Sequence, residues 1–155
     1  MSTQFVDTNI FIRYLTQDDT DKYQACYQLF KRAEQNQVSL TTSESVLAEV
    51  VYVLESKYYA VPRQQIKVAL SRLLILPGLK VAHLSTYLRA LALYVHHAID
   101  FEDCLSAAHM ERQKLREIIS YDRDFDQVKE IVRTEPGSGE VDDGVGETEV
   151  HDNSQ

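Results

Sequence analysis

Four carboxylates in this 155-residue chain stand out by where they fall: Asp7, Glu49, Asp103 and Asp122, separated by 42, 54 and 19 residues. Asp7 follows the short apolar run Gln4-Phe5-Val6, and Asp122 follows Ile118-Ile119-Ser120-Tyr121, so two predicted strands each end in an aspartate. Open α/β sheets bind their ligands at the carboxyl ends of such strands. Taken singly, either aspartate reads equally well as the N-cap of a following helix. Glu49 falls among Val46, Val50 and Val53 on the apolar face of a predicted helix. An ionised acid there calls for a cationic partner, a place at the helix edge, or a metal ion. Glu55, on the opposite face of that helix, calls for none of these. Asp103 sits in the first turn of another predicted helix with Asp100 as N-cap, where both acids complement the helix dipole. The small residues Ser106, Ala107 and Ala108 let that helix pack closely and bring Asp103 towards the sheet edge. If the four acids converge, they repel one another, and some stay protonated near neutrality unless a divalent cation sits among them. An all-oxygen set selects Mg²⁺ or Mn²⁺ over zinc, and such an ion activates water and steadies the leaving oxygen of a phosphodiester. The run Asp122-Arg123-Asp124-Phe125-Asp126 also opens like a calcium loop, but Gln127 stands where that loop needs glycine and Arg133 where it needs glutamate.

The elements that must carry these acids alternate between short strands and longer helices. After the strand at 4–6, Ile10, Phe11, Tyr14 and Leu15 recur at helical spacing, and a second helix is expected over 19–37 with Tyr23, Cys26, Tyr27 and Phe30 on its buried face. A strand at 38–40 follows. Thr41 with Glu44 reads as a capping box opening a helix to about residue 57. Pro62 suits the first turn of the next helix, with Ile66, Ala69, Leu70, Leu73 and Leu74 as its face and Pro77-Gly78 as its stop. A strand at 79–82, helices at 86–98 and 102–115, and strands at 118–121 and 131–134 complete the pattern of a parallel α/β sheet covered on both faces.

Several function classes fall on what the chain lacks. Gly78 is the only glycine before residue 137, so no phosphate loop, dinucleotide fingerprint or G-x-S-x-G elbow can be built. His83, His96, His97 and His109 form no H-E-x-x-H pattern and read as surface or packing residues. Cys26 and Cys104 are far apart and read as reduced, mostly buried thiols. Apolar runs such as Val50–Leu54 fall far short of the roughly 18–20 residues that span a bilayer, and a cytoplasmic protein is expected. The net charge of −8 divides unevenly: residues 1–135 carry −2, while 136–155 carry −6, with six acids, no Lys or Arg, and four of the five glycines. That last segment is expected to be a disordered acidic tail, either solvating the protein or mimicking nucleic acid against the body's own basic surface.

In sequence order, Phe5-Val6-Asp7-Thr8-Asn9-Ile10, the segment 45–54 around Glu49, the segment 100–108 around Asp103, and Ser120-Tyr121-Asp122-Arg123-Asp124-Phe125 together resemble the PIN-domain ribonucleases, and among them the VapC-type toxins of toxin–antitoxin pairs. The resemblance implies an α/β fold, a PIN-like three-layer sandwich with a central, mainly parallel sheet of about five short strands flanked by helices. It implies an endoribonuclease dependent on Mg²⁺ or Mn²⁺, acting on RNA as a homodimer and neutralised by a small cognate antitoxin. Carried over by position, Asp7, Asp103 and Asp122 become metal ligands, with Glu49 completing the site or positioning water. Asn9 and Ser120 become supports for the first acid and the substrate phosphate, and Asp124 an accessory acid. Glu102 replaces a residue that is often small in the family, and residues 110–116 lack the usual glycine; the acidic tail lies outside the pattern.

Two other readings remain open at this level. A catalytically silent PIN domain that binds RNA or protein suits the nearly neutral body, since RNA binding ordinarily calls for a basic groove. Arg13, Lys57, Arg63, Arg112, Lys114, Arg116 and Arg123 are the cations available to build one. A Mg²⁺ phosphohydrolase of small phosphate esters is the other. Tyr52, Tyr58, Tyr59, Tyr87 and Tyr94 offer aromatic surface of the kind enriched at protein interfaces, or else cover the core with wet hydroxyls.

Overall fold

The computed structural model describes residues 1–137, so the acidic segment from residue 138 onward lies outside the described residues. The elements run β1 (Thr3–Phe5), α1 (Thr8–Thr16), α2 (Thr20–Glu34), β2 (Ser39–Thr41), α3 (Glu44–Glu55), α4 (Arg63–Leu74), β3 (Leu79–Lys80), α5 (Leu84–His96), α6 (Phe101–Arg112), β4 (Glu117–Ile119), a 3₁₀ turn (Arg123–Gln127) and β5 (Val132–Thr134). The α/β alternation expected from the sequence is present, and every strand pair is parallel.

The five strands form two ladders, β1-β2-β3 and β4-β5, where the sequence suggested one sheet. Strands of two or three residues make few ladder bonds, so the helices carry most of the architecture: α5 packs on α4 and α6, and α1 on α2 and α3. β1 and β4 are both edge strands, and each ends in an exposed apolar side chain, Phe5 at 60% and Ile119 at 72% exposure. The core lies among the helices. Phe11, Leu47, Val50, Ile66, Leu70, Leu91, Tyr94, Ile99 and Cys104 are essentially inaccessible in it. Among the described residues, no helix is long and apolar enough to cross a membrane.

Local differences from the expected pattern have identifiable causes. The cap of α3 is Ser43, whose hydroxyl accepts from Val46 N; Thr41 instead donates to Lys80 O across to β3. Tyr27, expected on the buried face of α2, is 38% exposed, while Ala33 is fully buried one turn beyond Phe30. Tyr27 continues a row of rings, Tyr14 to Tyr23 and Tyr23 to Tyr27, both at 6.1 Å. Tyr87 and Tyr94 belong to the core rather than the surface, whereas Tyr52 and Tyr58 stand out at 76% and 81% exposure.

Glu55 is no idle surface acid: it is half-buried, accepts the hydroxyl of Tyr94, and lies 3.8 Å from Arg63. Arg63 donates to three carbonyls, of Tyr94 at 3.0 Å, His97 at 3.1 Å and Ile99 at 2.6 Å, with its guanidinium 4.3 Å from the Tyr94 ring centre. It thereby supplies donors to the carboxyl end of α5, where helix carbonyls lack partners. The connection it grips ends at Asp100, the N-cap of α6. Gly78 is fixed by a different need. Its N–H donates to Ala33 O, its carbonyl accepts from Leu40, and a Cβ there would stand 2.5 Å from Val38 O and 2.7 Å from Ala33 O.

Candidate metal centre

The carboxyl end of the β4–β5 ladder holds the site. Ile119 pairs with Thr134 at the last rung, and Ser120 N–H then donates to Thr134 O before the chain turns away. Two side chains set that turn. Ser120 Oγ accepts from Asp122 N at 3.0 Å, and Asp122 Oδ1 accepts from Asp124 N at 2.9 Å, so each polar side chain replaces a backbone acceptor and winds the 3₁₀ turn. Phe125, buried at 5% exposure, anchors the turn beneath.

Arg133 on β5 clamps the same turn. Its Nε donates to Asp126 Oδ1 at 3.0 Å and one terminal nitrogen to Ser120 O at 3.0 Å, while the same nitrogen reaches Glu135. Sequence reasoning used Asp126 and Arg133 only to weigh a calcium loop. Nothing in the spacing of the three-residue strand Val132–Thr134 ties Arg133 to that turn.

Asp103, in the first turn of α6, meets this turn from the helix side. One carboxylate oxygen from each of Asp103, Asp122 and Asp124 lies within 4.8 Å of the others. Asp103 and Asp124 are half-buried and Asp122 is exposed. Burial first, then the charges of Asp122, Asp100, Asp124 and Glu102, hold the Asp103 carboxyl above the ordinary carboxylate range. Only hard oxygen donors are offered, on side chains that remain open to solvent, and this suits a hard divalent cation such as Mg²⁺ or Mn²⁺.

Asp7 and Glu49 come from other elements, the start of α1 and the middle of α3. Asp7 is exposed and occupies the N-cap position of α1 without a side-chain cap bond. Glu49, expected on the core side of α3, is exposed at the helix edge, with Oε2 accepting from Thr8 Oγ1 at 2.8 Å. The hydroxyl thus ties Glu49 to the residue next to Asp7, just past the end of β1. Asn9 is exposed on the first turn of α1.

Among the expected cations, Arg13 is committed to Asp18 at 2.7 Å and Arg63 to the α5–α6 connection. Arg123 is exposed between Asp122 and Asp124. His109 pairs with Glu44 at 2.9 Å, and the two cysteines are free and buried.

The PIN domain family matches residues 5–131 of the chain. Among solved structures, the chain is similar to VapC20 of Mycobacterium tuberculosis, a sarcin–ricin-loop-cleaving toxin, at 19% identity over 87% of this chain and 100% of that one, with a TM-score of 0.36. It is also similar to VapBC2 of Rickettsia felis bound to a DNA fragment from their promoter, at 19% identity over 86% and 98% of the two chains, with a TM-score of 0.34. No curated protein matches its sequence.

Proposed function

This chain belongs to the PIN domain family, and from that membership and its acidic cluster we propose that it is a Mg²⁺- or Mn²⁺-dependent endoribonuclease. We assign it the part of the toxin in a type II toxin–antitoxin pair, cytoplasmic, homodimeric and restrained by a small antitoxin. The observation that carries the reading is the meeting of Asp103, Asp122 and Asp124 within 4.8 Å at the end of β4.

Asp103, Asp122 and Asp124 would hold a divalent ion, which would supply a polarised water and offset charge on the leaving oxygen of a phosphodiester. The chain's own residues do the positioning. Ser120 and Arg133 fix the turn that presents Asp122 and Asp124, and the Asp100-capped start of α6 presents Asp103. Asp7 and Glu49 are assigned as the acids that complete the set, with Thr8 orienting Glu49 to hold the attacking water. Asn9 is assigned as the support of Asp7, and exposed Arg123 as a contact for the RNA phosphate. The antitoxin is assigned to the aromatic groove between α1, α2 and α4, about 710 Å³ in volume and walled by Tyr14, Tyr23, Tyr27 and Leu73.

Incubating the purified, antitoxin-free protein with labelled total RNA tests this reading. Discrete fragments with Mn²⁺, lost in EDTA and in Asp122→Asn, are the expected result. The nearly neutral body, −2 over residues 1–135, favours one alternative, a catalytically silent PIN domain binding RNA or protein. RNA left intact by the folded protein under every metal condition would select it. Hydrolysis of a chromogenic phosphate ester with RNA left uncut would select a small-ester phosphohydrolase.

A further inference from the structure

At the opposite end of the β4–β5 ladder from the aspartates, a pocket of about 250 Å³ opens between α5, α6 and the segments entering β4 and β5. Its floor is apolar, built from Leu93, Met110, Leu115 and Ile131, and Leu115 is left 52% exposed over it. Drug-sized ligands and cofactors ordinarily fill about 300–1,000 Å³, so the space suits one or two aliphatic side chains better than a cofactor. The rim is polar. Arg89 and Glu111 neutralise each other at 2.8 Å, while Lys114 and Arg116 are exposed and make no ion pair among the described residues, so the rim stays one charge positive after the exposed Glu130 is counted.

Residues 138–155 begin four residues after the end of β5, and their sequence is complementary to this pocket. They carry six acids and no Lys or Arg, and Val141, Val145 and Val150 are spaced among those acids. The described chain ends at Gly137, three residues beyond β5, and β5 itself is only three residues long. Returning along β5 to the pocket takes roughly six or seven extended residues at about 3.3 Å each, so Val145 and Val150, eight and thirteen residues beyond Gly137, reach it, while Val141 falls short. Tethering also holds the segment at an effective concentration in about the millimolar range, so weak contacts suffice.

We propose that the acidic segment docks intramolecularly on this pocket, with Val145 or Val150 against Leu115 and Ile131 and flanking carboxylates on Lys114 and Arg116. The pocket is then an internal docking site for the protein's own acidic chain. The inference stands whether or not the chain cuts RNA, because neither the pocket nor the segment includes an aspartate of the candidate metal centre.

Paramagnetic broadening on the full chain tests it. A nitroxide is placed on Val145→Cys, the native thiols being buried, and amide intensities are read in ¹⁵N-labelled protein. The amides of 114–116 and 130–131 are expected to lose most of their intensity, and to regain it in about 1 M salt, where charges are screened beyond about 3 Å. The exposed charge reversal Lys114→Glu with Arg116→Glu should abolish the broadening as salt does. No broadening at those amides would overturn the proposal, as would broadening centred on the α1–α2–α4 groove. So would equal broadening when label and ¹⁵N sit on different molecules, because the contact would then be between chains.

Discussion

Replacing Arg63 by methionine keeps much of the aliphatic volume and removes every polar contact of the guanidinium. The two hydrogens of its Nη1 are shared among the carbonyls of Tyr94, His97 and Ile99, so two charge-assisted bonds are a fair count. At about 1.5 kcal/mol each, the low end for a side chain about one-third exposed, they contribute about 3 kcal/mol. The Tyr94 face adds about 0.5–1 kcal/mol. Freeing a long side chain returns up to about 2 kcal/mol of rotamer entropy. The net expectation is a loss of about 2–3 kcal/mol, or about 5–10 °C in Tm for a domain of this size. Arg63→Lys keeps the charge without the planar fork and should recover less than half of the loss. Urea denaturation of the three proteins measures this directly. A loss under about 0.5 kcal/mol, the range of ordinary surface changes, or full recovery by lysine, would refute the argument that Arg63 caps α5 and fixes the start of α6.

Gly78→Ala should destabilise by about 1–3 kcal/mol, since its Cβ would meet the Val38 and Ala33 carbonyls rather than a yielding side chain; a denaturation midpoint equal to wild type would contradict this. Burial pushes the Cys104 thiol up to about 12 and raises that of Cys26, so neither should react with a thiol reagent at pH 8 until denaturant is added; prompt labelling of the native protein would show that the core is open. Because the Asp103 carboxyl is raised in the folded state, the metal-free fold binds its proton more tightly than the unfolded chain does. That contribution to stability is present at low pH and is lost as pH rises through the raised value, so Asp103→Asn should remove a downward slope between acid and neutral pH in EDTA. A difference between the two proteins that does not vary with pH would count against it. Arg133→Gln should weaken Mn²⁺ binding by about 10–100-fold while leaving the three aspartates in place; unchanged affinity in a metal titration would mean that the turn holds itself.

The strands and helices were legible because the chain punctuates them strongly, with apolar residues three and four apart in α4 and a β-branched run before Asp122. Helix termini were less so. Thr41 and Ser43 carry equivalent chemistry, and only the position of β3 decides that Thr41 spends its hydroxyl on Lys80 O. Periodicity placed Glu49 on the core face because it treats a helix face as uniform; the structure sets Glu49 at the edge, where Thr8 reaches it. Asp122 was readable as a strand-end acid, and Asp103 as one brought to the sheet edge by the small residues Ser106, Ala107 and Ala108. The inclusion of Asp124 depended on a side-chain turn, Ser120 to Asp122 to Asp124, that no spacing rule encodes. Arg63 and Arg133 were invisible as organisers for a related reason. Their partners are backbone carbonyls and distant acids, and these acquire an address only once the chain has folded.

Titration of Mn²⁺ into metal-free protein, read by the electron paramagnetic resonance of the free ion, tests the central claim most directly. Wild type and Glu102→Gln, which alters an exposed acid outside the cluster, are expected to bind alike. Asp103→Asn and Asp122→Asn are expected to lose affinity by at least about 10-fold. Equal binding by all four proteins, or no binding by any of them when folded, would contradict a metal centre built on these aspartates.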